Sequence, residues 1–309
     1  MLDPSDLYRL HPLATDDPDD EPLLLDRPVL VHVLTGFVDA GSATRMVSDH
    51  LLATLDHQVL VTFDVDQLVD YRSRRPTMVY DEDHYASYDE PELVLHGVRD
   101  QNGQTFLLLT GPEPDTQWER FVAAVIELVE HFDVSTTIGL HAIGMPVPHT
   151  RPLGIISHAN RAGLVSTEQP WSGRVQLPGS AAALLELRLG QVAHPGLGFV
   201  VQVPHYLADT PYPEAAAVLL ERFATHVGLV VSREDLLGAA EETRQAITEQ
   251  IAGSPEVSRI VRELEEQYDT HARGRTMPSL LAPTDGALPS AEELGAEVEK
   301  FLAAQTPDD

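Results

Sequence analysis

The sequence predicts an α/β layered domain with a mixed sheet, followed by a helical C-terminal region. Three observations carry this. Apolar, β-branched runs alternate with helical periodicities over residues 28–229. One hairpin signal interrupts the alternation, so the sheet is mixed. Beyond residue 229 the strand signal vanishes, and two amphipathic patterns follow.

Taken in order, Pro28–Leu34 (PVLVHVL) reads as a first strand, closed by Thr35-Gly36. From about Gly41 to Leu55 the period turns helical, with Met46, Val47, His50, Leu51 and Leu55 on one face. Gln58–Phe63 is a second strand, and 66–91 is a long polar excursion rich in Tyr and Arg. Glu92–Val98 and Gln104–Thr110 flank Asn102-Gly103, a strong hairpin signal. Gln117–Phe132 is a helix with Trp118, Phe121, Val122, Val125, Leu128 and Val129 in register. Thr136–Ile143 and Leu153–Ser157 read as strands, 160–179 as a loop, Ala181–Gly190 as a helix and Gly198–Val203 as a strand. Pro213–Val227 is a helix with Pro in its first turn. Residues 233–252 and 256–273 are amphipathic, the second with a stripe of Val257, Ile260, Val261, Leu264 and Tyr268. Residues 274–289 read as a linker and 290–304 as a short helix. The expected division is an acidic N-terminal segment (1–27), an α/β core (28–229) and a helical region (230–309).

Composition narrows the function. The 309 residues carry 49 acids against 20 bases, a formal charge of −29, and 43% are hydrophobic. That apolar content supports a sizeable core and excludes disorder of the whole chain. A chain this acidic, with no basic patch, repels phosphate backbones, so nucleic acid is not an expected partner. Charge gathers at the ends: 1–26 hold eight acids against Arg9, and 234–309 hold 17 acids against six bases. The stretch 14–22, ATDDPDDEP, is expected to be mobile. Cysteine is absent, which removes disulfides, thiolate metal sites and Cys nucleophiles. Without a signal-like N-terminus or a long apolar run, a soluble cytoplasmic protein is expected, with no membrane contact.

G-x-G-x-x-G, the Walker A lysine, G-x-S-x-G and H-E-x-x-H are all missing. What remains are four strand ends that run into Gly- or Pro-marked turns: Thr35–Gly41, Thr110–Pro114, His141–Pro146 and Pro204–Tyr206. Ligands of open α/β sheets gather at strand carboxyl ends. If these strands are parallel, Asp39, Glu113, His141, His205 and Tyr206 form a candidate crevice. Against this, Asp39 puts a carboxylate where a helix N-terminus would draw an anion, which suits a cap. Gly, Pro and polar residues also make ordinary turns. His141, His149 and His158 are spaced by eight and nine residues and match no zinc pattern, so no metal and no cofactor is expected. Arg72, Arg74 and Arg75 form a cluster suited either to an acidic partner or substrate or to the chain's own carboxylates.

Five motifs occur together in order: Gly36–Gly41 (GFVDAG), Leu109–Pro114 (LTGPEP) with Trp118, His149–Pro152 (HTRP), Leu177–Ser180 (LPGS) and Val203–Tyr206 (VPHY). In this the chain resembles the proteasome assembly chaperone 2 family, and Leu264–Asp269 (LEEQYD) is similar to the C-terminal helix of its actinobacterial branch. The resemblance covers about residues 28–272. It implies a three-layer α/β/α, phosphorylase/hydrolase-like architecture with a C-terminal helical extension. It also implies homo-oligomers, a non-enzymatic chaperone-like role, partners among proteasome subunits or another protein, and no catalytic residues. The alternative is a phosphorylase/hydrolase-like enzyme acting on a nucleoside or small amide at the strand carboxyl ends.

Overall fold

A computed structural model describes residues 2–12, 23–36, 38–165, 176–253 and 255–276. The acidic stretch 14–22, the linker after 276 and the helix expected at 290–304 lie outside the described residues.

Ten strands and six α-helices follow one another along these residues. In chain order they are β1 (Tyr8–Leu10), β2 (Val29–Thr35), α1 (Ala43–Thr54), β3 (Asp56–Phe63), β4 (Met78–Asp81), β5 (His84–Tyr88), β6 (Val94–Arg99) and β7 (Thr105–Pro112). The second half holds α2 (Trp118–His131), β8 (Thr136–Met145), β9 (Ile155–Ala159), α3 (Ala181–Gln191), β10 (Gly196–Pro204), α4 (Pro213–Val227), α5 (Glu234–Ala252) and α6 (Pro255–Thr276). Eight strands make one sheet in the order β1-β3-β6-β7-β2-β8-β10-β9, and β4 and β5 pair separately as a hairpin.

The mixed sheet follows from the connections. β7, β2, β8 and β10 are mutually parallel, because helices cross over between them. The β6–β7 hairpin and the edge pairs β1–β3, β3–β6 and β9–β10 are antiparallel. Parallel central strands are buried on both faces, so β2 reads as a continuous apolar run. Val31 and Val33 pack with α1 and α4 on one face. Leu30, Leu107 and Leu109 pack with α2 and α3 on the other. The three-layer α/β/α architecture is therefore present, and α5 and α6 extend it at the C-terminal end.

Two elements escaped the sequence reading. β1 joins the sheet edge opposite β3, with Leu7 fully buried beneath it. Arg120 of α2, itself buried, fastens this segment by donating to the Asp3 carbonyl at 2.8 Å. The β4–β5 hairpin occupies the polar excursion.

The helix stripes behave differently from one another. Phe121, Val122, Val125, Leu128 and Val129 of α2 are all buried in the chain's own core, so that stripe offers no surplus surface for self-association. On α6, Val261 and Leu264 are buried, while Val257 and Ile260 stay 37% and 39% exposed.

Candidate functional site: the carboxyl edge of the sheet

The parallel pairing places the carboxyl ends of β2, β7, β8 and β10 along one edge of the sheet. The side chains there take different partners. Asp39, following β2, accepts from the Thr44 amide at 2.8 Å and the Arg45 amide at 3.2 Å. Its carboxylate thus satisfies free N–H groups at the start of α1, the task of a helix cap. Glu113, following β7, is buried and accepts from the Ala181 amide at the start of α3. Ser180 adds a second cap there, accepting from the Ala183 amide at 3.1 Å. Burial pushes the Glu113 carboxyl above its ordinary range, and the Ala181 amide and the Arg74 guanidinium hold it back. Since α1 and α3 lie on opposite faces, these two acids are directed apart.

His141, in β8, faces the α3 side. Its ring stands edge-on to that of His32 in β2, with centroids 6.2 Å apart. His158 of β9 lies in the same layer and reaches Glu186 of α3 at 3.1 Å. Glycines at the matching positions make the room: a Cβ at Gly139 would stand 2.8 Å from the His32 ring, and one at Gly198 2.4 Å from the His158 ring. Burial is the main cause that lowers His32 to about 3 and His141 to about 4, and the neighbouring histidines add to it. Both rings are therefore neutral, and the Nδ1 of His32 is buried without a hydrogen-bond partner among the described residues. Among these residues, no group of His, Asp and Glu is arranged to hold a metal ion.

His205 and Tyr206 begin the 3-10 turn after β10. His205 is exposed. The Tyr206 hydroxyl accepts from the His149 amide at 2.9 Å and lies 2.7 Å from the His149 Nδ1. Burial raises the Tyr206 hydroxyl and lowers the His149 ring, so a neutral ring meets a neutral phenol. His149 begins the segment that receives α6. The Arg151 guanidinium grips Asp269 with two 2.8 Å bonds and approaches Glu265 at 3.3 Å. The Tyr268 hydroxyl donates to the Pro152 carbonyl at 3.0 Å.

The loops themselves are stitched together. The Gly41 amide donates to the Ala208 carbonyl at 2.7 Å, and the Tyr212 amide to the Gly41 carbonyl at 2.8 Å. Gly41 holds φ +68°, which suits glycine. Gly111 is required by space as well, since a Cβ there would stand 2.2 Å from the Glu92 carbonyl oxygen. Within the arginine cluster, Arg74 donates to the Glu113 carbonyl at 2.8 Å and pairs with Asp115, tying the β2 and β7 ends. Arg72 and Arg75 remain exposed and make no ion pair among the described residues.

Sequence reasoning named Asp39, Glu113, His141, His205 and Tyr206 but missed His32 and put no role on His158 or His149. His32 sits inside an apolar strand, and that unusual placement was the available signal. The five motifs all fall on this edge or on the segments that bind it together.

Comparison with known proteins agrees with this layout. The family model described as the PAC2 family matches residues 33–251. Among solved structures, a Mycobacterium tuberculosis protein of unknown function is 45% identical, with TM-score 0.81 over 87% of this chain and 90% of that one. A Corynebacterium glutamicum protein of unknown function is 38% identical, with TM-score 0.80 over 87% of this chain and 98% of that one. A protein described as a proteasome-assembly chaperone homologue of Mycobacterium tuberculosis is 26% identical, with TM-score 0.69 over 75% of this chain and 99% of that one. No functionally curated protein matches the sequence. With its family model matched across most of its α/β body, the chain belongs to the PAC2 family.

Proposed function

We propose that this protein is a non-enzymatic, chaperone-like protein that binds proteasome subunits in the cytoplasm and self-associates. The observation that carries the reading is the use of the two acids at the carboxyl edge. Asp39 and Glu113 each commit their carboxylates to backbone amides of helices on opposite faces. The alternative, an enzyme acting on a nucleoside or small amide, needs Asp39, His141 and His205 around one substrate. His141 is instead turned toward α3, away from the α1 face that Asp39 caps. The name of the Mycobacterium tuberculosis relative, a proteasome-assembly chaperone homologue, supports the choice of partner. The test is to mix the full chain with unassembled proteasome α-subunits and follow the mixture by sedimentation velocity. A co-sedimenting complex is expected. Independent sedimentation of the two proteins would overturn the reading.

A further inference from the structure

The strand β9 closes the sheet on one side and pairs only with β10 among the described residues. Its hydrogen bonds show which backbone groups are left over. The Asn160 amide donates to the Gly196 carbonyl and the Gln202 amide to the Gly154 carbonyl, both at 2.9 Å. The even-numbered residues from 154 to 160 therefore exchange bonds with β10, and Ile155, Ser157 and Ala159 turn their N–H and C=O groups outward. All five residues of β9 are half-buried rather than covered. A free edge of this kind is a template for another extended chain.

A cation stands at its middle. The Arg222 guanidinium of α4 lies over the Phe199 ring, 5.2 Å from its centroid, and donates to the Ser157 hydroxyl at 3.4 Å. Stacking on an aromatic face holds the planar guanidinium in a fixed orientation. Its Nε is buried with no hydrogen-bond partner among the described residues, and the group makes no ion pair there, in a chain that carries 49 acids. A residue set opposite Ser157 on an added strand lies on the same face as this guanidinium. A carboxylate at that position would bond it with charge assistance. The flanking same-face residues, Ile155 and Ala159, pack on the core, so apolar side chains suit the positions opposite them. A second copy of β9 does not fit: antiparallel pairing about Ser157 would set two Arg222 cations against each other.

We propose that β9 is a docking edge for an extended segment of another protein, in which one Asp or Glu between two apolar residues of the same face meets Arg222. The proposal goes beyond the reading above and rests on neither α-subunit binding nor self-association, so each can fail alone.

The test titrates the full chain into the fluorescein-labelled heptapeptide Thr-Val-Thr-Glu-Thr-Val-Thr and follows anisotropy. Saturable binding is expected. Arg222→Gln is expected to weaken it roughly tenfold, the worth of a hydrogen bond to a charged group. Arg222→Glu should reject this peptide and accept the one with Lys in place of Glu, which shows that the variant is folded. Ala159→Pro removes an outward N–H and leaves the β9–β10 bonds in place, so lost binding with unchanged circular dichroism is expected. Methylating the peptide amides that face β9 should also abolish binding, with no change to the protein. Absence of binding to the wild type, binding indifferent to amide methylation, or a charge exchange that fails to restore it would each overturn the proposal.

Discussion

Glu113 separates a capping role from a catalytic one through two substitutions. Glu113→Ala leaves the Ala181 amide without its acceptor at a buried helix start. The expected loss is about 1–3 kcal/mol, the cost of a buried unpaired donor. Glu113→Gln keeps an acceptor oxygen and removes a carboxyl that burial already disfavours in its charged form, so denaturant midpoints close to wild type are expected. Equal losses in both variants would contradict the cap. The buried histidines set the acid response. Burial holds His32 at about 3, and His96 and His141 at about 4, against 6.5 in the unfolded chain. Below about pH 6.5 the unfolded chain therefore binds protons that the folded one refuses. Their contribution to stability is complete above pH 6.5 and is lost as pH falls toward 4. Urea midpoints should drop between pH 7 and pH 5, with ring resonances of the folded protein that do not titrate there. Ring titration near 6.5 would contradict this. The Asp39 cap was legible in the chain alone because that residue precedes a helix. The Glu113 cap and the buried histidines were not: Glu113 caps a helix 68 positions away, and no local pattern encodes that.

At the scale of elements, the hydrophobic periodicities were sufficient for α1, α2, α4 and the four parallel strands, since burial on both faces leaves long apolar runs. The helix Pro213–Val227 matches its reading residue for residue. The β4–β5 hairpin was missed because its strands are exposed on both faces, so hydrophobic alternation has nothing to report. β1 was missed because three residues, two of them exposed, are too short for a period. The amphipathic stripe read over α6 is used in part: Val261 and Leu264 are buried, and the Arg151 clamp on Asp269 adds to the docking. Leu264→Asp should therefore release α6 without unfolding the sheet. Hydrogen exchange is expected to show lost protection over 255–270 and retained protection in β2, β7, β8 and β10. Unchanged protection in α6 would mean that the helix is held by the ion pairs alone.

For the molecule as a whole, the strand carboxyl ends share one edge, as open α/β sheets arrange them, yet the polar groups there brace helices and loops. Fold alone does not set the use of such an edge: Asp39 and Glu113 bond helix amides there, and Arg74 bonds the Glu113 carbonyl. The exposed tyrosine-faced hairpin and the outer side of helix α6 are surfaces where a protein-binding role would reside. The central claim is that this surface binds proteasome α-subunits. Sedimentation velocity of the full chain with those subunits at micromolar concentration tests it most directly, repeated with Glu113→Gln to remove the buried carboxylate while keeping the fold. The account predicts one faster-moving complex containing both proteins, with the same affinity for wild type and Glu113→Gln. Two boundaries that move independently, or turnover of a nucleoside or small amide that Glu113→Gln abolishes, would contradict it.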